Sequence, residues 1–301
     1  MRMALLATLL LSTLLWACTS APAQQPTPIS TPQPAPVIAT LQCTGHFEQG
    51  GFVVCDAPAG AALFVDGVAM TSADRQGKAI IGFDRDAKAS ARIEARTGAT
   101  IAAALDAAIR PQVYDVQRVD GLPQDTVTPS DPALLERIRR EAALKAKGFA
   151  SNVEAYGYQE PWIWPIDGRM SGAWGNQRVL NGVPASPHMG FDIAAPAGTP
   201  IKAPASGVVA LAEPDLHYEG GLVLIDHGQG LVSMYLHMSR LDVKPGDVVI
   251  RGQVIGAVGA KGRATGPHLC WRMRWRGQNL DPALMPAEAL KPLVINAPVR
   301  P

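Results

Sequence analysis

The sequence predicts a mainly β protein: a small β-sandwich domain, one connecting helix, and a carboxy-terminal antiparallel β-sandwich or barrel-sandwich domain. Two observations carry this expectation. Short apolar runs alternate with Gly-, Pro- and Asp-containing turns through residues 37–116 and again after Pro165. Helical periodicity is confined to the stretch that starts at Asp131-Pro132. A chain of 301 residues, 47% hydrophobic, has room for an export segment, a tether and two compact domains. Its formal net charge of +1 lacks the basic excess of a nucleic-acid binder, so no nucleic-acid partner is expected.

Residues 1–17 carry Arg2 and then an apolar run, too short to span a membrane and suited to an export signal. Leu15-Trp16-Ala17-Cys18 resembles a bacterial lipoprotein processing box, which implies lipidation of Cys18 and a membrane anchor. Trp16 departs from the small residue usual there, and ordinary cleavage after Ala21-Pro22-Ala23 is the alternative. In both readings the protein is exported to the periplasm or cell envelope. Thr19 favours the outer membrane if the cell has one. Residues 18–36, rich in Pro, Ala, Gln, Thr and Ser, form a tether that spans roughly 55 Å at about 3.1 Å per residue.

Within 37–116, Phe52-Val53-Val54, Leu63-Phe64-Val65 before Asp66-Gly67, Ile80-Ile81-Gly82-Phe83 and Arg92-Ile93-Glu94-Ala95 read as strands of a small sandwich. Cys43 and Cys55 fall across a hairpin, and in an exported protein such a pair is expected to form a disulfide. His46, between them, reads as a surface residue. Residues 117–163 form a helical linker. Asp131 and Pro132 start the helix, Leu135, Ile138, Ala142 and Ala146 line its apolar face, and Gly148 ends it. Arg137, Arg139, Arg140, Lys145 and Lys147 are expected on the opposite face, meeting solvent or an anionic surface. Trp162 and Trp164 either pack the domain entrance or line a substrate groove.

From 164 to 290 the texture is β, with strands at Ile201 to Ala203, Val208 to Leu211, Leu222 to Asp226, Leu231 to Leu236, Val248 to Ile250 and Val254 to Val258. A tail, 291–301, follows. Ala203-Pro204-Ala205-Ser206-Gly207-Val208-Val209 and Val243-Lys244-Pro245-Gly246-Asp247-Val248-Val249 are similar strand-entry turns. The pattern also resembles lipoyl and biotinyl carrier domains, but no Lys has the hairpin-tip setting they modify.

Three segments supply polar groups: His188-Met189-Gly190-Phe191-Asp192, Tyr235-Leu236-His237-Met238-Ser239 and Gly266-Pro267-His268-Leu269-Cys270. Imidazole, carboxylate and thiolate are all zinc donors, and Gly190 lets the backbone bend between the first two. On a strand, His268 and Cys270 share a face, while His237 faces away from its apolar neighbours. By itself the first spacing also fits two unrelated surface residues.

In this order, and with Gly172-Ala173-Trp174-Gly175 and Asp192-Ile193-Ala194-Ala195-Pro196, the segments resemble the lysostaphin/LytM family of zinc endopeptidases, over roughly Trp164 to Asp281. The resemblance implies a duplicated hybrid motif fold, one Zn²⁺ per chain and peptidoglycan peptides as substrate. It implies that His188 and Asp192 are metal ligands and that His237 and His268 are catalytic, handling the water proton and the oxyanion. Cys270 stands where that family has its third ligand, a His. It is either a His/Asp/Cys ligand or a buried core thiol. As a ligand, its thiolate together with Asp192 would balance Zn²⁺ and make bound water less acidic. His227 reads as a structural hairpin residue and His217 as a solvated loop residue. The alternative function is a non-catalytic module that binds the wall or activates a separate amidase.

Overall fold

A computed structural model of the chain describes residues 41–286. The signal segment 1–17, Cys18 and the whole tether 18–36, residues 37–40 of the expected sandwich domain, residues 287–290 and the tail 291–301 lie outside the described residues.

The amino-terminal part contains β1 (Gln42–Gly45), β2 (Phe52–Asp56), β3 (Ala62–Val65), β4 (Val68–Ser72), β5 (Lys78–Gly82), β6 (Ser90–Thr97) and β7 (Thr100–Ala108). They pair as two antiparallel sheets, β1-β2-β5 and β4-β3-β6-β7. Inward residues of both sheets, Val53, Ile81, Leu63 and Ile93 among them, are fully buried in one core. Cys43 lies directly opposite Cys55 in the β1–β2 register, and the two are joined by a disulfide. His46 Nδ1 lies 3.2 Å from Glu48 Oε1, so it has an acidic neighbour that sequence reading missed.

Next come β8 (Val116–Val119) and α1 (Pro132–Phe149). The Asp131 side chain caps α1 by accepting from Leu134 N at 2.8 Å. The expected apolar face needs correction, because Ala142 and Ala146 are exposed. Leu135 and Ile138 are half-buried as expected, and the rest of the packed face runs through Leu134, Arg137, Glu141, Leu144, Lys145 and Gly148. Arg137 and Lys145 are therefore not on the solvent side: Arg137 bonds Glu141 and Asp215, and Lys145 pairs with the buried Glu219. Long cationic side chains can bury their stems when an anion waits at the far end.

The carboxy-terminal part adds β9 (Arg169–Gly172), β10 (Gln177–Leu180), β11 (Val183–Ala185), β12 (Phe191–Ala194), β13 (Pro200–Lys202), β14 (Gly207–Leu216), β15 (Gly220–Asp226), β16 (Leu231–Met238), β17 (Arg240–Leu241), β18 (Val248–Val249), β19 (Val254–Ala257), β20 (His268–Trp275) and β21 (Gln278–Leu280). The main sheet has the order β18-β14-β15-β16-β20-β12-β9, with β21 added on β20, and β13-β19-β17 form a small second sheet. The two similar strand-entry turns lead into neighbours, with Gly207 opposite Val249 and Val208 opposite Val248. Parallel pairing of β8 with β10 extends the β10–β11 hairpin.

β15 and β16 are buried along their whole length because both faces are covered. Leu222, Leu224, Met234, Leu236 and Cys270 pack with Leu144 and Phe149 of α1. Val223, Ile225 and Tyr235 join the main core, which runs on without interruption into the amino-terminal sandwich. Trp162 and Trp164 are packing residues: Trp162 stacks on Trp271 with centroids 6.5 Å apart, and Trp164 lies 5.6 Å from Phe191.

His227, in the β15–β16 turn, is fully buried. Its Nδ1–H donates to Ser206 O at 2.8 Å, and Nε2 accepts from Ser233 Oγ at 2.7 Å. Burial pushes its pKa down to about 4. A histidine depressed on folding contributes stability that is complete above its unfolded pKa near 6.5 and is lost as pH falls toward 4. Denaturant unfolding of the parent should therefore lose on the order of 2 kcal/mol through this group between pH 7 and pH 5. His227→Gln should lose correspondingly less over that interval. His217 is less solvated than expected, since its Nε2 lies 3.2 Å from Asp125 O and its backbone N–H reaches Glu141.

Candidate metal centre

Strand register brings the candidate donors together. β12 lies between β9 and β20, which places Asp192 directly opposite Cys270 on one side and Gly172 on the other. A side chain at Gly172 would collide with the Asp192 carboxylate. His188 precedes β12 and is fixed by its backbone, which accepts from Gly175 N at 2.7 Å and donates to Asn176 O at 2.8 Å. At Gly190, a Cβ would sit 2.8 Å from Cys270 Sγ, so glycine is needed there for close approach as much as for bending. His188, Asp192 and Cys270, all buried, present donor atoms within 4.8 Å of one another.

His268 opens β20 opposite Ala194, and its Nε2 lies 3.9 Å from Asp192 Oδ1. His237 follows Leu236, which pairs with Cys270. Its orientation does not come from strand alternation, because its backbone is left-handed at φ 64° and both faces of β16 are buried. The two rings lie 4.6 Å apart. All five candidate residues thus meet in one place.

The three histidines share one device. His188 Nδ1 faces Ala173 O at 3.3 Å, His237 Nδ1 faces Lys261 O at 2.8 Å and His268 Nδ1 faces Gly266 O at 2.8 Å. A carbonyl can only accept, so each Nδ1 carries a hydrogen, and in the neutral ring each Nε2 keeps a lone pair. At His188 that lone pair lies 3.2 Å from Asp192 Oδ1 and 3.4 Å from Cys270 Sγ. Asp192 Oδ1 is buried without a hydrogen-bond partner. With His188 deprotonated, the imidazole nitrogen, the carboxylate oxygen and the sulfur are three lone-pair donors facing one point, which fits a cation. Nitrogen, oxygen and sulfur donors fit zinc.

The electrostatics favour positive charge at that point. Burial opposes the charged form of His188, but Asp192 and Cys270 outweigh it and hold its pKa above the usual imidazole value. Burial likewise opposes ionisation of Asp192, yet His188 and then Arg178 hold its pKa well below the usual carboxylate range. His237 and His268 go the other way. Burial pushes His237 down to about 4 and, with the neighbouring His237 ring, lowers His268. Both shifts favour the neutral imidazole.

Two arginines escaped sequence reading. Arg178 Nη2 donates to Asp192 Oδ2 at 2.8 Å, and Arg272 Nε donates to Cys270 Sγ at 3.3 Å. The Asp192 carboxylate and the Cys270 sulfur thus each have a guanidinium bonded to them. The expected balance of thiolate and carboxylate against Zn²⁺ did not count these two guanidinium groups, which would draw electron density from any donor they bond. Arg272 was findable, two residues from Cys270 on the same strand. Arg178 lies on a separate hairpin and gave no local signal.

A groove of about 290 Å³ opens over Asp192, His237 and His268. Gln117, Val119 and Leu122 of the expected linker form part of its wall.

Residues 186–282 match the family model described as Peptidase family M23. Among curated proteins, the chain is 43% identical over 96 residues to peptidoglycan DD-endopeptidase ShyA of Vibrio cholerae, which covers 32% of this chain and 22% of that one. It is also 43% identical over 95 residues to DD-carboxypeptidase/endopeptidase Mpg of Neisseria meningitidis, again 32% of this chain and 22% of that one. The chain thus spans about a fifth of the length of these curated relatives. Among solved structures, it is similar to a crystal structure from Pseudomonas aeruginosa assigned to peptidase M23, with TM-score 0.60 and 31% identity over 79% of this chain and 94% of that chain.

Proposed function

Because the chain belongs to peptidase family M23, we propose that it is a cell-envelope zinc metalloendopeptidase hydrolysing peptide bonds in peptidoglycan stem peptides or cross-links. The observation that carries this reading is the convergence of His188 Nε2, the unpartnered Asp192 Oδ1 and Cys270 Sγ beside two histidines shifted toward the neutral form. We propose His188, Asp192 and Cys270 as the ligands of one Zn²⁺. When bound there, zinc would polarise the scissile carbonyl and acidify an attacking water.

The chain's own groups do the rest. His237 and His268, with Nδ1–H committed to carbonyls, offer Nε2 as the base that takes the water proton. Once protonated, the same Nε2–H stabilises the oxyanion and then serves the leaving amine. Arg178 and Arg272 orient the two anionic donors. Residues 1–17 would direct the chain out of the cytoplasm, with Cys18 as lipid anchor and the Pro-rich segment as tether.

The test is digestion of purified peptidoglycan by the full chain, with and without a chelator, alongside metal analysis. About one zinc per chain and chelator-sensitive appearance of new amino termini are expected. Stoichiometric zinc with wall binding but no new termini would replace hydrolysis with a binding or amidase-activating role.

A further inference from the structure

The groove beside the candidate centre carries more positive charge than the metal chemistry uses. Arg169, Arg178 and Arg263 line it, and Asp192 is the one acidic side chain lining it among the described residues. Arg178 is committed to Asp192. Arg263 and Arg169 form no ion pair among the described residues: Arg263 Nη1 reaches Thr126 O at 3.3 Å, and Arg169 Nη1 reaches only Met170 O at 3.3 Å.

Arg263 is also held in position. Its backbone N–H donates to Tyr218 O at 2.9 Å, and its guanidinium lies 4.9 Å from the centre of the Tyr218 ring. Lys261, two residues earlier, supplies the carbonyl that orients His237. One short loop therefore sets both the tautomer of a proposed base and the position of an uncompensated cation. Burial, followed by repulsion from Arg272 and Arg178, makes the charged form of Arg263 less favourable than in water. A guanidinium held without a counter-ion among other guanidinium groups stores unfavourable charge that an incoming anion relieves. Its planar fork matches a carboxylate.

We propose that Arg263, together with Arg169 in the same groove, docks a free carboxylate of the peptide substrate beside the scissile bond. The inference rests on the peptidase reading and narrows it: the enzyme is built for an anionic peptide segment, and uncharged segments are poor substrates. A charge-assisted bond of this kind is worth roughly 10- to 100-fold in discrimination.

The experiment uses purified peptidoglycan in two forms, native and chemically amidated so that free carboxylates become carboxamides. Co-sedimentation and release of new amino termini are measured on both, for the full chain and for Arg263→Gln, Arg263→Lys and Arg139→Gln. The parent should favour native over amidated material by at least about tenfold. Arg263→Gln should bring that ratio close to one, Arg263→Lys should keep part of it, and Arg139→Gln, on the exposed face of α1, should keep all of it. Equal handling of both forms by the parent overturns the proposal, as does an Arg263→Gln variant with the parent's ratio. If the parent sediments selectively with native material yet releases no termini, the carboxylate site stands and the hydrolytic reading falls.

Discussion

Cys270→Ala is expected to lose at least about 100-fold in zinc affinity and to stop releasing peptide termini from peptidoglycan. Removing an outer partner of a metal ligand typically costs 10- to 100-fold, and removing the ligand itself costs more. The register leaves no substitute, because Cys270 faces Asp192 across β12–β20 and its Sγ is 3.4 Å from His188 Nε2. Only two of the three donors would remain, too few for a catalytic zinc site. The change also leaves Arg272 without its sulfur acceptor next to a cation site. Cys270→His should recover zinc, since imidazole is a good donor. It exchanges an anionic donor for a neutral one beside the Arg272 guanidinium, so the recovered affinity should fall short of the parent's. Chelator competition gives the affinities, and cobalt substitution gives a second readout: a sulfur-to-metal charge-transfer band present in the parent and absent from both variants. Equal zinc in the parent and Cys270→Ala, with no such band in the parent, would return Cys270 to the role of a core thiol packed on Leu236.

What could be read from the sequence was mostly local. Apolar runs between turns revealed strands β13 to β16, β18 and β19, and β15 and β16, buried on both faces, show up as uninterrupted apolar runs. The Asp131-Pro132 start of α1 was equally legible, since a cap acts within one turn. Which face of α1 is buried was not, because that depended on Asp215 near the end of β14 and Glu219 in the β14–β15 turn, anions distant in the sequence. The same limit applies at the candidate centre. Donor types and order could be read, but the Asp192–Cys270 register, the left-handed backbone of His237 and the Arg178–Asp192 bond are products of long-range pairing. The parallel β8–β10 pair, which brings linker residues into the groove wall, joins segments about 60 residues apart and has no local signature.

His237→Ala is expected to keep zinc and to lose roughly 100- to 10,000-fold in turnover, the usual worth of a positioned general base. The donor set explains the first half, since His188, Asp192 and Cys270 converge without His237. Geometry and charge explain the second. Lys261 O fixes Nδ1 as the protonated nitrogen, leaving Nε2 as a lone-pair base in the groove. Burial pushes the imidazole down to about 4, so it is neutral and ready to accept a proton at pH 7. A truncation of a buried ring could also act by loosening β16. His237→Gln addresses this by keeping much of the side-chain volume and a hydrogen-bonding tip while lacking a basic nitrogen. Both variants should retain about one zinc per chain, the amount expected of the parent, and both should be slow. Loss of zinc in both variants, in proportion to loss of turnover, would make His237 a ligand. A Gln variant as fast as the parent would show that no base acts from this position.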